Sequence, residues 1–222
     1  MTKDFHIDDR TQGEVDDDNK FELREENDNK NLSGGKLAGG NPSRRRVLQD
    51  YYATHPDSTK ALLKVEEIIY PALEPACGEG HISKLLDERQ VISNDLIDRG
   101  YKYCKGGVDF LYNQNKYSYS RINTVITNPP FKYFQEFVEK ALKIATKKVI
   151  MFGKLQALEG IKRATFLETT PLKTVYVFKK RQQPMRNGQE FDDNGKKLSS
   201  TMAFAWYVWE IGYKGSPIIK WL

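Results

Sequence analysis

Four consecutive residues, Asn128-Pro129-Pro130-Phe131, directly follow an apolar run, Thr124-Val125-Ile126-Thr127, that reads as a buried strand. Two prolines in a row stiffen the chain and remove two N–H donors, which leaves carbonyls there to accept. The asparagine ahead of them can accept through its side-chain oxygen, and Phe131 offers a flat apolar face. Two acceptors beside an aromatic platform suit a planar ring bearing an exocyclic amino group. Taken alone, the tetrapeptide also reads as a rigid turn with a core phenylalanine.

A second candidate is the turn Glu74-Pro75-Ala76-Cys77-Gly78-Glu79-Gly80, which follows a short strand, Ala72-Leu73-Glu74. Glycines there let a backbone approach a ligand, and a helix expected over His81–Glu88 would present free N–H groups to an anion. Asp95 ends the next strand, 17 residues beyond Gly78. In a doubly wound sheet an acid at that separation can accept from both ribose hydroxyls, so the turn and the acid together point to a nucleoside cofactor. Capping the residues after it is the other reading of Asp95. Asp109-Phe110 pairs an acceptor with a ring, which suits an adenine edge and face, or else a turn residue beside a core residue.

These residues need a scaffold that gathers strand ends. Strands are expected at Ala72–Glu74, Val91–Asp95, Gly107–Asp109, Thr124–Thr127, Lys148–Phe152, Thr174–Phe178 and Ala203–Trp209. Helices are expected from Ser58 to about Val65, over His81–Glu88, over Tyr133–Thr146 and over Leu158–Leu167. In the third, Phe134, Phe137, Val138, Ala141 and Ile144 fall on one stripe. Strands alternating with helices predict an α/β fold, with a mostly parallel seven-stranded sheet and a C-terminal antiparallel hairpin. Trp206 and Trp209 read as packing residues of the last strand.

The pair of motifs, EPACGEG over Glu74–Gly80 and NPPF over Asn128–Phe131, resembles the gamma-class amino-methyltransferases that modify adenine N6 in DNA. The stretch Tyr51–Leu222, including Phe204-Ala205-Trp206-Tyr207-Val208-Trp209, is similar to the small methyltransferases of phages and mobile elements. The resemblance implies a Rossmann-like class I methyltransferase fold and S-adenosyl-L-methionine as cofactor. It implies that Glu74, Ala76, Gly78 and Gly80 hold the methionine part, Asp95 the ribose, and Asp109 with Phe110 the adenine. Thr54 and Pro56 fall where the family has an N-terminal cofactor segment. Asn128, Pro129, Pro130 and Phe131 would be catalytic on a base flipped out of its stack. Asn-Pro-Pro-Phe/Tyr also occurs in enzymes acting on guanine N2 in RNA and on protein glutamine, but those mostly carry an Asp-x-Gly-x-Gly turn. DNA is therefore the expected partner ahead of RNA, and a non-catalytic DNA-binding protein of the same fold is a further alternative. Gamma-class enzymes usually carry a separate target-recognition domain. The short chain after the fifth strand leaves that task to loops or to a separate recognition partner.

Charge is split along the chain. Residues 1–40 hold 11 acidic and six basic side chains, whereas residues 41–222 hold 29 basic and 19 acidic ones. The first segment lacks hydrophobic period and reads as a disordered acidic tail over residues 1–42, ahead of a methyltransferase domain over 43–222. Such a tail reads as a solvated extension with no specific job, or as one that competes with nucleic acid for the basic surface. Candidate phosphate contacts are Arg46 in Arg44-Arg45-Arg46, Lys179, Lys180, Arg181 and Arg186, with Lys147-Lys148 and Lys162-Arg163 as further basic pairs. The stretch from Lys179 to Lys197 is the expected substrate-contacting loop. The two cysteines, Cys77 and Cys104, build neither a disulfide framework nor a metal site, so none is expected. No run approaches the roughly 20 apolar residues of a membrane span. Cytoplasmic location is the expectation.

Overall fold

The computed structural model describes residues 51–112, 121–182, 185–186, 195 and 202–222. The acidic segment and the Arg44–Arg46 run lie outside the described residues, as does most of the loop between Lys179 and Lys197.

Among the described residues ten strands form: β1 (Tyr52–Ala53), β2 (Ala72–Glu74), β3 (Val91–Asn94), β4 (Cys104–Lys105), β5 (Thr124–Thr127), β6 (Lys148–Lys154), β7 (Leu172–Val177), β8 (Met185–Arg186), β9 (Phe204–Glu210) and β10 (Ile218–Trp221). Three α-helices accompany them among the same residues: α1 (Pro56–Leu63), α2 (Phe134–Ile144) and α3 (Ile161–Glu168). Eight strands make one sheet in the order β10-β7-β9-β6-β5-β2-β3-β4, and β1 pairs with β8 in a separate two-stranded ladder. Within the large sheet only β9 runs antiparallel, wedged between β6 and β7. The carboxyl ends of β2, β3, β5, β6 and β7 therefore meet at one edge. The expected mostly parallel sheet with an antiparallel C-terminal pair is what forms, with β10 as an eighth strand beside β7.

Central strands buried on both faces explain the sheet's apolar runs. β5 and β9 are buried along nearly their whole length, and Trp206 and Trp209 are fully buried, as packing residues should be. One face packs Leu73, Val125 and Met151 under Phe137, Val138 and Ala141 of α2. The other packs Ala72, Ile126 and Ile150 with Leu62 of α1 and Trp206.

Several local expectations are corrected. The helix expected over His81–Glu88 shrinks to a 3-10 turn, Ser83–Leu85, because both the N–H and the hydroxyl of Ser83 are given to the Glu74 carboxylate. The third strand lies at Cys104–Lys105 rather than Gly107–Asp109, since Gly107 takes a φ of 70° that no strand can continue. α1 begins at Pro56, two residues before Ser58, with His55 as its cap: Nδ1 accepts from Asp57 N–H at 3.2 Å. Lys148 is no phosphate contact. It starts β6 at the far edge of the sheet and is buried in an ion pair with Glu66 at 2.5 Å, with Tyr176 donating to the same carboxylate at 2.9 Å. Among the described residues no helix is long and apolar enough to cross a membrane.

Candidate functional site

Both motifs sit at the carboxyl edge, at the ends of adjacent strands. β2 delivers Glu74 and the glycine turn, and β5 delivers Asn128. A long bond from the Thr127 hydroxyl to the Ala76 carbonyl, at 3.5 Å, joins the two turns.

The glycine turn is held from two sides. Asp95 accepts the Gly78 N–H through Oδ2 at 2.7 Å and the Ile97 N–H through Oδ1 at 2.9 Å. The acid therefore caps its own turn, also taking a backbone bond from Leu96, and anchors the motif 17 residues before it. Burial pushes its carboxyl above the ordinary range. Gly78 and Gly80 have φ of 54° and 76°, which favours glycine. Their close approaches are made by rings of the chain itself: a Cβ on Gly78 would lie 2.5 Å from the Tyr51 ring, and one on Gly80 2.7 Å from Tyr101. The Tyr51 hydroxyl accepts the Glu79 N–H at 3.2 Å, and the Arg99 guanidinium lies 4.0 Å over the Tyr51 ring.

Glu74 is fully buried, and desolvation raises its carboxyl to about 8 despite the two bonds from Ser83. Ser83 in turn shares a 2.6 Å bond with Ser93 of β3. The strand-to-turn geometry leaves no helix N-terminus for an anion, because the first N–H of the 3-10 turn is taken by Glu74. Cys77 is buried, with its thiol raised by desolvation, so it is no nucleophile.

Asn94, beside Asp95, is a residue that sequence reasoning passed over. It is 1 % exposed, and neither its side-chain oxygen nor its nitrogen has a partner among the described residues. The buried Thr54 hydroxyl also lacks one. Buried polar groups without partners are rare in native folds, and next to a ligand-binding strand edge they suit a polar ligand. Pro56 opens α1 directly after this segment.

Asp109 and Phe110 separate. Asp109 accepts from the N–H groups of Leu111 and Tyr112, at 2.8 and 3.2 Å, as a turn cap. Phe110 is 2 % exposed and packs on Phe137 with ring centroids 5.0 Å apart, which places it in the core. The side of the Phe110 ring toward Phe137 is therefore covered.

At the second motif, Asn128 Nδ2–H donates to the Tyr52 carbonyl at 2.7 Å. No described residue donates to its Oδ1. The Pro130 carbonyl accepts the Tyr133 N–H at 2.9 Å, whereas the Pro129 carbonyl takes no described backbone bond. Phe131 is half-buried, with the Tyr52 ring stacked at 5.8 Å, Phe204 tilted at 5.6 Å, and Lys154 Nζ 4.8 Å over the ring. Tyr51, Tyr52 and Lys154 were not singled out as site residues in the sequence. Alternation along a strand could have flagged the tyrosines, since neighbours there face opposite ways.

Lys179, Lys180 and Arg181 are exposed just beyond β7, on the same edge as Asn128. Arg186 belongs to β8, where it pairs with Tyr52, and Gln182 accepts from the Ser58 hydroxyl at 2.7 Å. Arg46 lies outside the described residues.

No family model matches the chain, and no curated protein matches it. Solved structures do. A candidate RNA methyltransferase of Pyrococcus horikoshii is 16% identical with a TM-score of 0.51, over 76% of this chain and 90% of that one. A type I restriction-modification methyltransferase subunit of Streptococcus thermophilus is 10% identical with a TM-score of 0.52, over 74% of this chain and 46% of that one. A protein of Agrobacterium tumefaciens named a predicted O-methyltransferase is 9% identical with a TM-score of 0.50, over 76% and 86%. At such identities the likeness concerns the fold, and the acceptors in these names differ. What the chain shares with these methyltransferases is the Rossmann-like fold.

Proposed function

We propose that this chain transfers the methyl group of S-adenosyl-L-methionine to an exocyclic amino group of a nucleobase, with adenine N6 in DNA as the acceptor. The observation that carries the reading is the orientation of Asn128. Its Nδ2 is committed to the Tyr52 carbonyl, which leaves Oδ1 to act as the acceptor, with the Pro129 carbonyl of the next residue as the second. An amino group conjugated to a purine is a weak nucleophile because its lone pair is delocalised into the ring. Two acceptors on its N–H hydrogens draw the nitrogen toward tetrahedral geometry and expose the lone pair. Positioned acceptors do this without a strong base. The motif accordingly contains no His, Lys or carboxylate.

The residues at the ends of β2 and β3 fit the cofactor. Glu74 supplies a buried carboxyl for an ammonium group, Asp95 keeps acceptor capacity for hydroxyls, and Asn94 and Thr54 are buried polar groups in need of partners. Ala76, Gly78 and Gly80 form the turn between them. The bound cofactor supplies an electrophilic sulfonium methyl. Tyr51 lies across Gly78 and would have to share or yield that surface.

Adenine in DNA is favoured over RNA or protein by the EPACGEG–NPPF pairing, and the basic Lys179–Arg181 rim suits a polyanion. The three fold neighbours, named for RNA, restriction-modification and oxygen acceptors, leave that choice to the motifs. We propose a separate partner for sequence recognition, in keeping with the restriction-modification subunit among the fold neighbours. The test is incubation of the full chain with methyl-labelled cofactor and, separately, unmethylated DNA, RNA and protein. Label in DNA is expected; label confined to protein would overturn the reading.

A further inference from the structure

We infer that Tyr52 is a positioning and specificity residue of the acceptor site, forming with Phe131 a slot for one planar base while its carbonyl holds Asn128. This rests on the amino-methyl transfer proposed above. Three observations converge on the one residue. Its carbonyl takes the only hydrogen bond that the described residues make to the Asn128 side chain, at 2.7 Å. Its ring lies nearly parallel to Phe131, with 25° between planes and 5.8 Å between centroids. Its strand pairs with β8 in a two-residue ladder, through Tyr52 with Arg186 and Ala53 with Met185.

The spacing decides how the slot would work. A base sandwiched between two rings needs about 7 Å, twice the optimal carbon–carbon separation of about 3.5 Å. The centroids are 5.8 Å apart, the spacing of an offset pair in contact, so Tyr52 must move outward to admit a base. That movement would bear on the two ladder pairs between β1 and β8. β8 lies in the Lys179–Lys197 stretch that follows the basic rim. Nucleic acid held on Lys179–Arg181 would thus act on the strand that carries Tyr52, and admission of a base would bear on the bond that aims Asn128. Specificity for a flat heteroaromatic acceptor follows from two parallel faces.

The test separates stacking from mere packing. Full-length Tyr52→Phe, Tyr52→Trp and Tyr52→Leu are compared with wild type for label transfer to unmethylated DNA and for cofactor affinity by calorimetry. Leucine keeps apolar bulk and the backbone carbonyl but lacks a π face. Expected for Tyr52→Leu is a rise of about tenfold in KM for DNA, with cofactor affinity unchanged, while Phe and Trp stay within about twofold of wild type. In Tyr52→Trp, a single-stranded adenine-containing oligonucleotide should also quench indole emission beyond any change in wild type. Equal KM for the Leu and Phe variants, a parallel loss of cofactor affinity, or no added quenching in Tyr52→Trp would overturn the assignment. An inactive wild type is a different result, which refutes the transfer reading itself.

Discussion

Asn128 donates its amide N–H to the Tyr52 carbonyl at 2.7 Å, across 76 residues of sequence. That bond converts a flexible amide, which could present either nitrogen or oxygen to a ligand, into an oriented acceptor. Replacing Asn128 by alanine should lower turnover at least about 10²–10³-fold, the range for loss of one preorganised polar group. Cofactor affinity should be unchanged by calorimetry. Asn128→Asp should be nearly as damaging, because a carboxylate would face the Tyr52 carbonyl.

Glu74 gives a pH signature. Its carboxyl is raised from 4.5 to about 8 by burial, so it is mostly protonated at pH 7 in the free protein. The folded state therefore binds a proton that the unfolded state releases between these values. This contribution to stability is complete below about pH 4.5 and is lost as pH rises through about 8. A ligand ammonium beside Glu74 would reverse the preference and expel the proton. Calorimetry at pH 7 in buffers of different ionisation enthalpy should show release of up to about one proton on cofactor binding. Glu74→Gln should abolish that release and weaken binding.

Glycine at positive φ should resist replacement for two separable reasons, strain and overlap. Gly100 has a φ of 80° with open space around its missing Cβ, whereas Gly78 adds overlap with the Tyr51 ring. Gly100→Ala should cost about 1 kcal/mol from backbone strain alone. Gly78→Ala should cost about 2–4 kcal/mol, strain plus overpacking. Urea denaturation of the two variants checks the difference.

The alternation of strands and helices was legible because the central strands are apolar runs and α2 keeps a clean stripe of Phe137, Val138 and Ala141. Legibility failed where a tertiary bond overrode local pattern. The turn after Gly80 reads as a helix until Ser83 is claimed by a carboxylate nine residues earlier. Phe110 reads equally as ligand platform or core, and its burial against Phe137 has no signature in the sequence. Asn128 was legible as an acceptor, but the partner that orients it is a backbone carbonyl, and a carbonyl has no sequence signature. Asn94 was hidden beside the more conspicuous Asp95, and its lack of partners emerges only once burial is known.

The basic rim makes a quantitative statement about salt. Neutralising Lys179, Lys180 and Arg181 together should weaken DNA binding at every sequence. It should also reduce the slope of log affinity against log salt by about two to three, near 0.9 for each phosphate contact. Fluorescence titrations from low to moderate salt measure both. An unchanged slope would assign these exposed side chains to solvent alone.

The position of the transferred methyl group bears most directly on the central claim. DNA labelled by the full chain is digested to nucleosides and the methylated species identified. The orientation of Asn128 predicts a methyl group on an exocyclic amine, which the EPACGEG–NPPF pairing makes N6-methyladenine, absent when Asn128→Ala replaces wild type. A methyl group on a base carbon or on an oxygen would contradict the account, since neither acceptor presents two N–H hydrogens to Asn128 and the proline carbonyl.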